Sequence, residues 1–306
     1  MAQPIPFGPR STADQVLAGI DLSRKRVLVT ECDSDTGLET MKALSANGAA
    51  VIGVARTLAD AEAACAAARS SPLGCDPTDP ASVDAAMESL QRLASPLDAI
   101  IINSFALRCF ADHLAQFVLV NRLTEFVRRG TGRIVIASDD RSMQDLPIEN
   151  VVLDDLSNEQ IYDPHAFRGQ TKLAAALFAE ELSRRLKARG VLVNAFHSGT
   201  TVNQNAKGAR SAAQRVIHSF LGYFTRSPAQ RAATPALLAA SPLVAGITGE
   251  YWLDCQLSRR SSLLSDPGLA RRLWEVSAQI AAIMLGRVDP TRRTGLGGDS
   301  LVSNVE

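Results

Sequence analysis

Arg26-Val27-Leu28-Val29-Thr30, running into Glu31-Cys32-Asp33-Ser34-Asp35-Thr36-Gly37, is the stretch on which the fold reading turns. The central residues of the first five, Val27, Leu28 and Val29, are apolar without alternation. That pattern suits a strand buried on both faces, as strands are in a parallel sheet covered by helices. A short polar turn follows, and the spacing then predicts a helix over Thr36–Asn47 that ends at Gly48, since glycine readily takes the left-handed conformation that closes a helix. The same alternation repeats outward from this unit. Strands are expected at Ala50–Ala55, Asp98–Ile102, Arg133–Ala137 and Val191–Phe196. Helices are expected at Ala59–Arg69, at Ala81–Leu93 after Pro80, and at Ala166–Ala188 before Gly190. A βαβ series of this kind predicts an α/β fold with one doubly wound, Rossmann-like parallel sheet in a single domain. Ligands in such sheets bind at the C-terminal ends of the strands. The domain is expected over 21–286, after an N-terminal extension over 1–20 and before a polar, glycine-rich, flexible tail over 287–306.

Composition narrows the function classes. The chain has 306 residues, of which 46% are hydrophobic, enough for a substantial core. Its 32 basic residues balance 32 acidic ones, and the arginine pairs are scattered. No basic patch for nucleic acid or an anionic membrane is therefore expected. Five cysteines (Cys32, Cys65, Cys75, Cys109 and Cys255) without a C-x-x-C spacing, and four histidines far apart in sequence, suggest reduced thiols and no metal. The start, Met1-Ala2-Gln3-Pro4-Ile5-Pro6, has neither a basic nor an apolar targeting region, so the cytoplasm is the expected compartment.

Three segments carry a resemblance to a known family. They are Asp21-Leu22-Ser23-Arg24-Lys25-Arg26-Val27-Leu28-Val29-Thr30; Gly169-Gln170-Thr171-Lys172-Leu173 with Leu177-Phe178-Ala179-Glu180-Glu181-Leu182; and Gly249-Glu250-Tyr251-Trp252-Leu253-Asp254-Cys255 with Leu273-Trp274-Glu275-Val276-Ser277. Together they resemble the short-chain dehydrogenase/reductase family, in its retinol-dehydrogenase-like branch, from about Phe7 to Leu285. The resemblance implies a dinucleotide site built on T-G-x-x-x-G-x-G after the first strand. Here that motif reads Thr30 to Gly37, with Glu31 and Asp35 at two glycine positions and Gly37 at the third. Glu31, Asp33 and Asp35 place negative charge where a diphosphate would dock, and at several ångströms each like-charge pair costs on the order of one to a few kcal/mol. Asp33, Ser34 or Asp35 capping the following helix would satisfy the same free N–H groups. The family's N-A-G appears as Asn103-Ser104-Phe105, with a phenyl ring in place of a glycine. Arg56, after the second strand, matches a position where a basic residue meets a 2′-phosphate, and Asp76 matches an acid beside the adenine. Gly37, Arg56, Asp76 and Asn103 are thus the candidate cofactor residues.

The family's Asn-Ser-Tyr-Lys catalytic set maps onto Asp112, Asp139, Arg168 and Lys172. Tyrosine and lysine at i and i+4 share one helix face, where the ammonium lowers the phenol pKa. A guanidinium cannot take the phenol's place as acid. A register slip by one residue offers Phe167 and Ser138, and the nearest phenol, Tyr162, lies in a loop. The expectation is a chain that has lost ordinary hydride transfer and uses Asp112, Asp139, Arg168 and Lys172 as a cofactor-independent acid/base enzyme on a small carbonyl compound. Two alternatives stand beside it: a pseudoenzyme subunit partnering an active family member, and an atypical NAD(P)-dependent oxidoreductase using NADP or NAD. The main reading implies no cofactor. Asp139–Arg168 and Asp112–Lys172 could also be structural ion pairs. The expected partners are a small-molecule substrate and a second subunit, identical or related. The family resemblance implies docking through the helix over Ala166–Ala188, where Leu173, Leu177, Phe178 and Leu182 would serve as the face, although the same residues also read as plain helix core. The segment over roughly 200–229 carries no motif that identifies a substrate.

Overall fold

A computed structural model describes residues 5–103, 110–138, 164–197, 226–258 and 266–285, with the side chains of 110, 111 and 164–172 excepted. In chain order its elements are α1 (Ala13–Leu17), β1 (Arg26–Thr30), α2 (Asp35–Ala46), β2 (Ala50–Ala55), α3 (Leu58–Ala68), β3 (Ser71–Gly74), α4 (Pro80–Arg92), β4 (Ala99–Ile102) and α5 (Phe110–Leu123). There follow β5 (Arg133–Ser138), α6 (Pro164–Arg185), β6 (Leu192–His197), α7 (Pro228–Arg231), α8 (Ala233–Ala240), β7 (Tyr251–Leu253), β8 (Gln256–Leu257) and α9 (Pro267–Met284). The strands form one sheet in the order β3-β2-β1-β4-β5-β6-β7-β8. Every neighbouring pair is parallel except β7 with β8. The doubly wound single domain is as expected, and the strand and helix ends agree with the sequence reading to within one to three residues.

The unalternated strands are explained by burial on both faces. Leu28, Ile52, Ile100, Ile134 and Val193 face a core closed by α4, α5, α6 and α9. Val27, Val29, Val51, Ile101 and Val135 face a second core closed by α1, α2, α3 and α8. Each such side chain contributes about 1.5–3 kcal/mol on leaving water. Residues 13–17, which the sequence reading left in an extension, form α1 and bury Ala13, Val16 and Leu17 in the second core, so the packed unit begins ahead of residue 21. The expected tail over 287–306 lies outside the described residues.

The expected docking face on α6 has a different use. Leu173, Leu177, Phe178 and Leu182 are all buried within the chain. Trp274 of α9 stacks on Phe178 at 5.5 Å between ring centroids and meets Phe117 of α5 edge-on at 4.9 Å. Arg185 caps the indole from 4.3 Å. The chain's own last described helix thus covers Phe178, and Leu173, Leu177 and Leu182 are buried in the same core. Among the described residues no helix is long and apolar enough to cross a membrane.

Strand order reverses between β1 and β4, because the chain leaves β1 toward β2 and β3 and returns to the other side of β1. A crevice opens at the C-terminal ends of strands at such a point. Thr30, Glu31 and Asn103 stand at its mouth.

Candidate functional site

The ends of β1 and β4 are tied together. Asn103 Nδ2 donates to the Thr30 carbonyl at 2.9 Å, and Thr30 Oγ1 donates to the Asn103 carbonyl at 3.3 Å. Both side chains are buried, so Asn103 orients the mouth of the crevice. The next residue, Glu31, has φ +47°, in the left-handed region that glycine enters freely and other residues enter at about 1–2 kcal/mol. The turn is held by the Glu31 carbonyl, which accepts from Ser34 N at 3.0 Å and from Ser34 Oγ at 2.8 Å. Ser34 is also the cap of α2, accepting from Gly37 N at 3.0 Å; of the three capping candidates it is the one used. Gly37 has no alternative, since a Cβ there would lie 2.1 Å from the Glu31 carbonyl oxygen. Side chains differ from the glycine-rich motif, yet the tight turn and the close approach of α2 are both present.

An arginine that the sequence reading did not single out completes this corner. Arg231, at the end of α7, donates from Nε to Thr36 Oγ1 at 3.1 Å, and its Nη2 lies 3.8 Å from Asp35 Oδ2. Its side chain is 9% exposed, against 46% for Asp35, so the cation is fixed and the acid faces water. Burial pulls the Arg231 pKa below its ordinary value, and Asp35 opposes that shift. Arg231 Nη1 also reaches the Arg226 carbonyl at 3.4 Å, and Arg226 is paired with Asp254 in the turn between β7 and β8. A separation of 195 residues between Arg231 and Thr36 leaves no sequence signal that could have joined them.

Arg56 and Asp76, two of the expected cofactor residues, lie near enough for the guanidinium to act on the carboxylate. Arg56 follows β2 and is exposed; Asp76 follows β3, beside it in the sheet. Partial burial works against ionisation of Asp76. Hydrogen bonds from Thr78 Oγ1 at 2.7 Å and Thr78 N at 2.9 Å, helped by the Arg56 guanidinium, nevertheless hold its carboxyl below the usual range. Asp76 is therefore a turn former and a fixed anion together. The nearby thiols are unreactive: burial pushes Cys32 and Cys75 up to about 12.

Of the four candidate catalytic residues, Asp112 lies in the first turn of α5 and is half-buried. Its neighbour His113 is buried, pairs with Ser277 of α9 across 3.1 Å, and is lowered to about 4 by desolvation. It is neutral and ties α9 to α5. Positions 168 and 172 are one turn apart on α6, so Arg168 and Lys172 share a helix face, but their side chains are not among the described ones. Asp139, Phe105 and Tyr162 lie outside the described residues.

The "short chain dehydrogenase" family model matches residues 25–114. A probable oxidoreductase of Streptomyces antibioticus is 31% identical, covering 84% of this chain and 97% of that one. Mouse retinol dehydrogenase 14 is 29% identical, covering 90% of this chain and 92% of its own length. Among solved structures, a Pseudomonas aeruginosa RhlG/NADP active-site complex superposes with a TM-score of 0.62 at 16% identity, over 82% of this chain and 98% of that one, a likeness of fold. These relatives are oxidoreductases and dehydrogenases matched over nearly their whole lengths. They overturn the expectation that hydride transfer was exchanged for cofactor-independent acid/base chemistry, and the expectation of no cofactor has no support beside them. The expectation rested on the charge of Glu31, Asp33 and Asp35 and on Arg168 in the tyrosine position; side-chain identity does not report the backbone, and the turn keeps a left-handed first residue and the close approach at Gly37.

Proposed function

Because the chain belongs to the short-chain dehydrogenase/reductase family, in its retinol-dehydrogenase-like branch, we propose that it is an NAD(P)-dependent oxidoreductase interconverting an alcohol and a carbonyl on a small molecule. The observation that carries this reading is the turn from Glu31 to Gly37 at the point where strand order reverses: it has a left-handed first residue, and a last residue that only glycine can fill. The donor set also suits a dinucleotide. The head of α2 offers backbone N–H groups and the positive end of its dipole to a diphosphate. Arg56 offers an exposed guanidinium to a ribose 2′-phosphate, which favours NADP(H) over NAD(H). Asp76 holds Arg56 in that region by charge. When bound, the nicotinamide supplies or takes the hydride. The proton is assigned to the set Asp112, Asp139, Arg168 and Lys172. Arg168 keeps its charge at every working pH and would steady the developing oxyanion, while Lys172 would tune the pKa of the proton donor.

The test is calorimetric titration of the purified protein with NADPH and NADH. The expected result is tighter binding of NADPH, with Arg56→Ala weakening NADPH by about tenfold to a hundredfold and leaving NADH within about twofold. Absence of binding by either cofactor at millimolar concentration would refute the oxidoreductase reading. Equal loss of both on Arg56→Ala would refute the assignment of the 2′-phosphate.

A further inference from the structure

We propose that Arg231 is a positioning residue for the cofactor diphosphate: it holds Thr36 and Asp35 at the head of α2 and places there a fixed positive charge that offsets the acidic turn. The inference rests on the oxidoreductase reading and adds to it a residue from a distant part of the chain. Glu31, Asp33 and Asp35 fall within five consecutive positions of the turn and the first residue of α2. Any dianionic group docking at that helix end meets their field, and like charge at such distances weakens binding by about tenfold per acid. The guanidinium of Arg231 is a cation that the structure sets against this field. Its Nε is hydrogen-bonded to Thr36 Oγ1 at 3.1 Å and its Nη2 is 3.8 Å from Asp35 Oδ2.

Three further features keep it in place. Only 9% of the side chain is exposed, so the charge acts across a poorly screened path. The helix that carries it begins with a capping box, in which Ser227 accepts from Gln230 N and Gln230 Oε1 accepts from Ser227 N at 2.9 Å. Its N-terminal approach is fastened by the Arg226–Asp254 pair, on a turn whose residues Asp254 and Cys255 both have positive φ. Arginine suits the task because its fork can hold a hydroxyl and face a carboxylate from one plane. Arg231 thus acts through Asp35 and Thr36, by geometry and charge, on a ligand that it need not touch.

The test uses three probes on the full chain: NADPH, NADH, and adenosine 2′-monophosphate, which has the Arg56 contact but no diphosphate. Arg231→Met is expected to weaken both dinucleotides by about tenfold to a hundredfold and to leave adenosine 2′-monophosphate within about twofold. Adding Asp35→Asn to that variant is expected to restore most of the loss, and Asp35→Asn alone to tighten NADPH; this single variant decides the matter should Arg231→Met fail to fold. Wild-type affinities in Arg231→Met, an equal loss of all three probes, or an Asp35→Asn protein that binds NADPH no more tightly would each overturn the proposal while the oxidoreductase reading stands. A wild-type protein that binds neither dinucleotide would remove the reading and this inference together.

Discussion

Replacing Gly37 by alanine bears directly on the turn at the head of α2. The new Cβ would lie 2.1 Å from the Glu31 carbonyl oxygen and 2.9 Å from its carbonyl carbon, more than an ångström short of ordinary contact with the oxygen. Both atoms are backbone, so no rotamer change relieves the clash. Either α2 withdraws from β1 or the turn opens. Opening it loses the bonds that Ser34 N and Oγ donate to the Glu31 carbonyl and the cap that Ser34 gives to Gly37 N. Losing two of these three bonds costs roughly 1–3 kcal/mol, and overpacking in a close-packed region adds about 1–3 kcal/mol. The α2 helix also packs Met41 and Leu44 into the core, so its withdrawal is resisted. A cost of about 2–5 kcal/mol is expected. At about 2–4 °C per kcal/mol for a domain of this size, the melting temperature should fall by roughly 5–15 °C. Thermal unfolding followed by circular dichroism measures this, and NADPH titration of the folded variant should show at least about a tenfold loss. A melting temperature within about 2 °C of wild type, with undiminished NADPH affinity, would show that the turn is looser than its geometry states and would refute the argument from Gly37.

Two further outcomes follow from buried titratable groups. Asp98, 7% exposed, accepts from Arg26 N at 3.0 Å, Arg128 Nε at 2.8 Å and Lys25 Nζ at 3.2 Å. Burial opposes its ionisation, but these donors hold its pKa below the ordinary value, so the stability it contributes is present above the unfolded pKa of about 3.9 and is lost as pH falls through the lower folded value. Asp98→Asn should cost about 2 kcal/mol in urea unfolding at pH 7, and the gap should narrow at pH 3; a gap that does not change with pH would refute the assignment. His113 is held to about 4 by burial, so the unfolded chain binds its proton first and stability is lost as pH falls from about 6.5 to about 4. That loss is on the order of 3 kcal/mol. His113→Phe should flatten this part of the pH–stability curve, and an unchanged slope would show that the imidazole is not buried neutral.

Much of the fold was legible because burial on both faces leaves its mark on composition. Strands such as Arg26–Thr30 and Ala50–Ala55 are apolar almost throughout, and caps and glycines punctuate the helices between them. β3 was missed for a local reason. Ser71-Pro72-Leu73-Gly74 is short and contains proline, which is tolerated only because the strand lies at the sheet edge, a position that sequence does not announce. α1 was missed because five residues are too few for a periodic pattern, and its place depends on packing against α8 and α2.

For the site, the family resemblance carried by the sequence names Gly37, Arg56, Asp76 and Asn103, and the strand pattern places Arg56 and Asn103 just after β2 and β4. The dinucleotide reading of the crevice rests on the same resemblance. Three things came only from the folded chain. Glu31 takes a glycine-like φ of +47°, which no residue name reveals, because backbone conformation at one position is enforced by the hydrogen bonds and close packing around it. On the face of α6 that reads as a docking surface, Phe178 is stacked under Trp274 of α9 and the rest is buried in the same core, because an apolar stripe on a helix specifies that something must bury it and not what does. Arg231 reaches Thr36 and Asp35 across most of the chain, because charge compensation depends on distance in space, and only the folded sheet makes 195 residues of sequence into 3.1 Å.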